Sequence, residues 1–556
     1  MQGNFRSYYG ISAVNLVEEL SLHTTPDCKS PVERSKSPMS ELERLQQALS
    51  LSLTAGYHLD KEAFDLLSTI STTENPLKLM ELTLKRLETV NEKPFFISRN
   101  FLEETAGSAF VATRDMKPSG ASALPKSLES TGKTRKSFYP LAENVGKDIL
   151  VLEDPTEGIC STGSIDEYLE YFQDRFRHLS QLLRQRMDSR SAGTLRDAFR
   201  AHPRSRVKVL CMVTEKRESK HGVFLKVEDL EASTTVFIPQ VASSRLLEKS
   251  KSILPDQVVC LCLVKGRKHS LTVEDLLLPD IPQRQPRTAK DPVCVALISD
   301  LHVGSREFMR DEFNRFVQWL NGNYGDSSLR DIAGAVKYVV IAGDLVDGVG
   351  IYPNQMKELT IKDVFKQYDM AAKFLEQIPD YVELIIIPGN HDTSRKALPQ
   401  PALPKEYAAP LYETRNPLSL GNPATVSIHG IRFLLYHGRS LDDVLATAAE
   451  MNFHSPERAM RLLLQSRHLA PSYGQRTLIA PERRDWLVID EVPDVFHTGH
   501  VHVMKHDSYR GTLMVNSGAW QKQTIYQRNL GLVPTPAIIP VVNLQTRRVV
   551  TIDFNS

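Results

Sequence analysis

At 556 residues, with 41% hydrophobic and 24% charged content, the chain is too long for a single small module and too apolar for wholesale disorder. Lys and Arg number 68 against 67 Asp and Glu, a formal net charge of +1. No global field therefore draws the molecule to nucleic acid or an anionic membrane, and any such contact has to come from a local patch. Cys28, Cys160, Cys211, Cys260, Cys262 and Cys294 contain no C-x-x-C pair, which predicts free thiols in a reducing compartment. Glu18 and Glu19 interrupt a modestly apolar N-terminal stretch, and no run reaches the roughly 18 apolar residues of a membrane span. The expectation is a soluble, cytoplasmic protein without a membrane partner.

Residues 1–110 carry a helical period, with Leu42, Leu45, Leu49 and Leu53, then Phe64, Leu67 and Ile70, and predict a small helical N-terminal domain. The stretch 111–140 is dominated by Ser, Thr, Lys, Gly and Pro, a composition that cannot bury enough apolar surface to offset ordering, so it reads as a flexible linker. Its Gly132-Lys133-Thr134 ends like a phosphate-binding loop, but Ser127 stands where the first glycine of that motif belongs. Residues 141–204 hold a short strand near Ile149 to Leu152 and an amphipathic helix from about Ile165 to Met187, with Tyr168, Tyr171, Phe172, Phe176, Leu179 and Leu183 on one side.

Between 205 and 282 five short strands separated by charged or glycine-containing turns predict a small β-barrel of the oligonucleotide/oligosaccharide-binding (OB-fold) type. Such barrels bind single strands by stacking bases on aromatics, yet this segment offers only Phe224 and Phe237. Its basic residues Lys216, Arg217, Lys220, Lys265, Arg267 and Lys268 read as a solvated surface or phosphate contacts, and a protein interface is the favoured role. Residues 283–292 are proline-rich, charged and non-periodic, a second linker. From 293 to 556, apolar runs alternate with amphipathic stretches, the pattern of a layered α/β domain.

The runs VCVALIS, VKYVVIA, YVELIIIP, IRFLLY and DVF each end in the same kind of residue. Asp300 and His302 follow the first, Gly343, Asp344 and Asp347 the second, and Gly389, Asn390, His391 and Asp392 the third. His437 and Gly438 follow the fourth, then His497, Gly499, His500 and His502 the last. In layered α/β proteins the carboxyl ends of strands meet at one edge, so these residues point to one site. Imidazole, carboxylate and one amide oxygen without thiolate suit Mn²⁺, Fe²⁺, Zn²⁺ or Mg²⁺. Seven donors exceed what one tetrahedral ion accepts, which implies a two-metal centre with Asp344 as the natural bridge. The glycines at 343, 389, 438 and 499 mark sharp turns or close approach to that site.

D-x-H, G-D-x-x-D, G-N-H-D, a strand ending in H-G, and G-H-x-H, in this order, resemble the calcineurin-like metallophosphoesterase superfamily. Within it ISDLHVGS, AGDLVDG, IPGNHD, YHGRSLDD, HTGHVH and VNSGAWQKQT resemble the small subunits of archaeal D-family DNA polymerases. The resemblance implies a four-layer α/β/β/α phosphoesterase domain and a 3′→5′ exonuclease that proofreads DNA replication for a larger catalytic subunit. Two divalent ions are implied, Mn²⁺ first among Mn²⁺, Mg²⁺, Fe²⁺ and Zn²⁺. Asp300, His302 and His502 would hold one with bridging Asp344, and Asn390, His437 and His500 the other, again with Asp344. His391 would face the scissile phosphate, stabilising its charge or helping to protonate the leaving oxygen.

Partners implied are the large polymerase subunit, a primer-template or single-stranded 3′ end, and the sliding clamp, with location at the nucleoid. The competing readings are a catalytically silent scaffold subunit and another metallophosphoesterase. His429 also precedes a glycine but lies before its strand, so His437 is preferred. His497, Asp347 and Asp392 are expected to orient ligands or cap backbone. Trp520 and Tyr526 are candidates for stacking on a frayed primer end, with core packing the commoner fate. His454, His468 and His506 get no role.

Overall fold

The computed structural model describes residues 138–556 apart from 268–269, 448–450, 530 and 556, together with short pieces between 47 and 105. The chain divides into two compact units, Met1–Gly132 and Lys133–Ser556. In the first, the helix Pro76–Glu88 buries Leu79, Met80 and Leu87 with Leu67, Ile97 and Leu102, and His58–Leu59 pairs in parallel with Phe96–Ile97. Residues 111–137 of the expected linker, Gly132-Lys133-Thr134 and Cys28 lie outside the described residues. The other five cysteines are free thiols.

The second unit opens with β1 (Ile149–Glu153) and the helix α1 (Ile165–Arg184), started by a capping box between Ser164 and Glu167. The barrel follows: β2 (Arg206–Ser219), β3 (Gly222–Glu228), β4 (Ser233–Pro239), β5 (Val258–Lys265) and β6 (Leu271–Leu277) close in the order β2-β3-β4-β6-β5. Val209, Leu225, Val236, Leu261 and Val273 fill its interior.

The remaining strands are β7 (Cys294–Ile298), β8 (Val336–Ala342), β9 (Glu383–Ile387), β10 (Leu418–Ser419), β11 (Ala424–Ile428), β12 (Ile431–Leu435), β13 (Val495–Thr498), β14 (Lys505–Tyr509), β15 (Thr512–Asn516), β16 (Ile538–Asn543) and β17 (Val549–Asp553). They make two mixed six-stranded sheets, β10-β9-β8-β7-β16-β17 and β14-β15-β13-β12-β11-β1. Val295, Leu297, Val340 and Ile385 of the first pack face to face with Val426, Phe433, Val495 and Val515 of the second.

The alternate residues of the first sheet, Ala296, Ile298, Val339 and Ile341, lie under α2 (Arg310–Leu320) and α3 (Val364–Leu375), against Phe313, Phe316 and Tyr368. Leu434, Phe496 and Met514 of the second lie under α4 (Pro456–Ser466), against Ala459, Met460 and Leu463. The result is helix, sheet, sheet, helix. Strands covered on both faces need apolar residues at every position, which is why they read as continuous runs and not as alternation. In the first sheet β7, β8, β9 and β10 run parallel, as do β12, β13 and β15 in the second.

Two segments are placed by contacts the sequence reading did not specify. The strand ahead of the barrel pairs antiparallel with β11, so it is an edge strand of the second sheet; local pattern reveals a strand but not its partner. The stretch 283–292 is held against the domain, because Arg284 reaches the buried Asp494 at 2.8 Å and the Ala289 N–H donates to Leu544.

Helix α1 buries an unexpected residue. Arg175 is fully buried and ion-paired to the equally buried Asp485 at 2.8 Å, and it donates to the Pro471 carbonyl and the Tyr171 hydroxyl. His468 shares the same carboxylate oxygen at 2.8 Å. Burial opposes charge on Asp485, but His468 and Arg175 hold it well below the usual carboxylate range. Replacing Arg175 by Met leaves a buried carboxylate without its cation, so Arg175→Met is expected to cost about 3–5 kcal/mol. A lowered urea midpoint reads this, with exposed Arg177→Met as a control near zero.

Candidate metal centre

The residues after β7, β8 and β9 enter from the first sheet, and those after β12 and β13 from the second. Asp300, His302, Asp344, His500 and His502 all have left-handed backbone, with φ of 53°, 52°, 52°, 68° and 61°. Each such non-glycine residue costs about 1–3 kcal/mol and persists only where the surroundings enforce it. Here the Asp300 N–H donates to Gly343 and the His302 N–H to Asp344. Two glycines are required by close approach: a Cβ on Gly389 would fall 2.2 Å from Asp344 Oδ1, and one on Gly499 2.5 Å from Asp300 Oδ2.

All seven expected donors meet. Asp300, His302 and His502 form one set with ligand atoms within 4.8 Å of one another, and Asp344, His437 and His500 form another. His302 Nε2 lies 3.1 Å from His502 Nε2, and Asp300 Oδ1 is 3.4 Å from the latter. Asn390 Oδ1 is 3.1 Å from His437 Nε2. Asp344 Oδ2 stands between the sets, 3.3 Å from His437 Nε2 and 3.8 Å from His302 Nε2. Asp300 Oδ1 is buried yet makes no hydrogen bond. An orphaned carboxylate oxygen beside converging imidazole nitrogens is what a divalent cation satisfies, so the residues fit such an ion.

Neighbouring groups orient the rings. Nδ1 of His302 donates to Asp347 Oδ1 at 3.0 Å, and Nδ1 of His437 donates to the Ala342 carbonyl at 2.8 Å. Each leaves Nε2 for a ligand. Asp392 accepts the backbone N–H groups of Gly389, Leu345 and Val346 and so pins the loop. His391 donates its main-chain N–H to Asp344 Oδ1 at 2.7 Å and its Nδ1–H to the Asp347 carbonyl at 2.8 Å.

The electrostatics follow from burial set against charge. For His302, burial opposes the charged form, but the hydrogen bond to Asp347 and the carboxylates of Asp344, Asp347 and Asp300 outweigh it, raising the ring to about 9. For His437, burial is outweighed by Asp344 and Asp300, again giving about 9. His391 is dominated by burial, with His302 adding to the effect, and falls to about 4. Asp300 drops to about 2 despite burial because His502 and His437 face it.

The other candidates divide between the surroundings and the cleft. His429 contacts Tyr338 and Asp291, and His497 points to Ser517. Trp520 is buried among Phe313, Phe316 and Phe554. Tyr526 is 59% exposed and lines the cleft over the donors, which has a volume of about 270 Å³ and is also walled by Tyr352, His391, Arg439, Asp442 and Arg476. Sequence reasoning assigned no role to Tyr352, Arg439, Asp442 or Arg476. Arg439 and Asp442 sit inside the YHGRSLDD stretch, the one signal that marked two of them.

The family model for the B-subunit of DNA polymerases alpha and epsilon matches residues 295–505. The DNA polymerase II small subunit of Methanothermobacter thermautotrophicus is 40% identical over 399 residues, covering 71% of this chain and 81% of its own. The chain belongs to the small-subunit family of archaeal DNA polymerase II. The small subunit of Pyrococcus furiosus DNA polymerase II is likewise 40% identical over 394 residues, covering 70% of this chain. This member of the family spans 64% of the length of that relative. Among solved structures, an archaeal phosphodiesterase matches 47% of this chain and 99% of its own at 13% identity, with a TM-score of 0.25. That likeness adds nothing to the family assignment. Among the described residues no helix is long and apolar enough to cross a membrane.

The protonation of the site is open to direct measurement. His302 and His437 carry protons at pH 7 because both sit near 9, whereas an ion requires neutral nitrogen, so Mn²⁺ uptake at pH 7 is expected to release about two protons. Affinity then climbs with pH and levels off above about 9; calorimetry in buffers of different ionisation heat reads the release, and buffer-independent heats would refute it. Gly389→Ala is expected to weaken Mn²⁺ binding by about 10–100-fold, measured by the same titration, while far-UV circular dichroism stays unchanged.

Proposed function

We propose that this chain is a two-metal 3′→5′ exodeoxyribonuclease, hydrolysing DNA phosphodiester bonds as the proofreading small subunit of a D-family DNA polymerase. The observation that carries the reading is the meeting of Asp300, His302, Asp344, Asn390, His437, His500 and His502 at one edge, with a buried carboxylate oxygen that makes no hydrogen bond among them. Groups of this kind are costly to bury without a cation to satisfy them.

Asp300, His302 and His502 would hold one ion and Asn390, His437 and His500 the other, with Asp344 shared. The nitrogen and oxygen donors suit Mn²⁺ first, with Mg²⁺, Fe²⁺ and Zn²⁺ as the other candidates. When bound, such a pair supplies Lewis-acid activation of a phosphate ester and a nucleophile at neutral pH. The chain's own groups do the rest. His391, fixed through Nδ1, presents Nε2 to the cleft, where an anionic phosphate favours its protonation and it can pass that proton to the leaving oxygen. Arg439 and Arg476, which also line the cleft, offer guanidinium groups to the flanking phosphates.

The partners on this reading are a larger catalytic subunit, which performs synthesis, DNA with a 3′ end, and the sliding clamp, in the cytoplasm at the nucleoid. The five-stranded barrel is assigned as an OB-fold domain at a protein interface. With Mn²⁺ and 3′-terminated labelled DNA, the chain is expected to release nucleotides from the 3′ end. Asp344→Asn and His391→Ala should each slow this by about 10²–10⁴-fold without impairing assembly with the large subunit. Undiminished cleavage by Asp344→Asn refutes the assignment, and a wild-type protein that assembles but never cleaves leaves the scaffold reading.

A further inference from the structure

The cleft over the donors has two unlike sides. On the side of His302 and His502 stand two tyrosines. Tyr352 follows β8; its hydroxyl donates to Glu358 at 3.0 Å, and its ring meets that of His391 edge-on with 6.2 Å between centroids. The His391 ring in turn lies 4.6 Å from that of His302. Tyr526 belongs to the short helix Ile525–Asn529, where the neighbouring Gln527 accepts the Thr524 N–H at 3.0 Å and sets its Nε2 2.8 Å from His502 Nδ1. That anchor keeps the helix beside the donors, yet Tyr526 itself is 59% exposed. Phe453, the third aromatic of the wall, packs instead into the apolar cluster of α4.

The side of His437 and His500 carries guanidinium groups. Arg439 lies 3.3 Å from His500 Nε2 and 3.3 Å from Asp442 Oδ2. A guanidinium has five N–H donors, so these contacts leave several of them available. Arg476 is exposed, and its main-chain N–H is held by Asp443 in the helix Leu441–Thr447 that follows His437.

The 3′ end of a nucleic acid has the same two-sidedness. Its last nucleotide ends in a base and a sugar with no further phosphate, whereas the strand leading to it repeats a phosphate at every residue. A cleft of about 270 Å³ is at the small end of ligand sites and takes one nucleotide, so the strand has to leave across one side. Charge assigns that exit to Arg439 and Arg476, and the terminal base then falls against the tyrosines.

We propose that Tyr526 stacks on the terminal base, with Tyr352 as the fixed wall beside it, while the preceding phosphates run over Arg439 and Arg476. Every base has a π face, so the contact is sequence-tolerant. This orientation rests on the nuclease reading of the same cleft.

The test compares single-stranded DNA ending in a normal nucleotide with the same strand ending in an abasic residue, using the full chain and Mn²⁺. Wild type is expected to prefer the base-bearing end by about 5–150-fold in kcat/KM. Tyr526→Ala should lose the preference, cleaving both ends with one kcat/KM, and its loss on the base-bearing end should fall on KM. Tyr526→Phe, which keeps the ring, should retain the preference. Arg476→Gln should weaken both ends equally, an effect that fades as salt rises. A 3′-terminal 2-aminopurine on a strand with a non-hydrolysable last linkage should be quenched by wild type and not by Tyr526→Ala, a readout independent of turnover. No preference in wild type, an equal loss on both ends or persistent quenching in Tyr526→Ala, or a base-selective loss in Arg476→Gln overturns the proposal. Quenching that depends on Tyr526 in a protein that never cleaves overturns the nuclease reading and leaves the base site standing.

Discussion

Asp344 is the constraint around which the second unit is arranged. Its carboxylate is almost completely buried, a placement that costs several kcal/mol unless opposite charges and donors surround it. The surroundings supply them: the His391 main-chain N–H on one oxygen and His437 and His302 facing the other. Satisfying this carboxylate requires a glycine at 389, a left-handed turn at 344 itself, and rings arriving from two different sheets.

That last requirement explains the architecture. The first sheet supplies Asp300, His302, Asp344, Asn390 and His391; the second supplies His437, His500 and His502. Neither half is a site alone. The spacing between the two donor groups is therefore set by the apolar layer between the sheets, where Leu297, Val340 and Ile385 meet Phe433, Val495 and Val515. A close-packed interior passes on small displacements that ligand geometry tolerates poorly, so the placement of the candidate donors and the sandwich core answer to the same packing.

The barrel is bound into this arrangement and not merely strung before it. Strand β1 precedes the barrel in the chain yet pairs with β11, and Arg175 of α1 reaches Asp485. After the barrel, Arg284 is pinned to Asp494. Gln257 on the barrel side donates to Ser466 at the end of α4 at 2.7 Å, and the Tyr473 N–H donates to Asp256.

The convergence of the candidate donors was readable because two local signals coincide: strands buried on both faces appear as unbroken apolar runs, and the polar residues that meet at the sheet edge stand where those runs stop. Residue types then limited the ion, and the order of motifs pointed to the family. Asp442, Arg439 and the buried Arg175 were not readable in the same way, since nothing in local periodicity distinguishes a charged side chain that turns inward from one that stays solvated. The partner of β1 and the anchoring of 283–292 depend on pairing across hundreds of residues. Sequence by itself determined which chemical groups are available and at which strand ends they emerge. Tertiary structure alone decided which nitrogen of His302 and of His437 is free and which carboxylate stands between the two sets, because those are set by hydrogen bonds and packing through space.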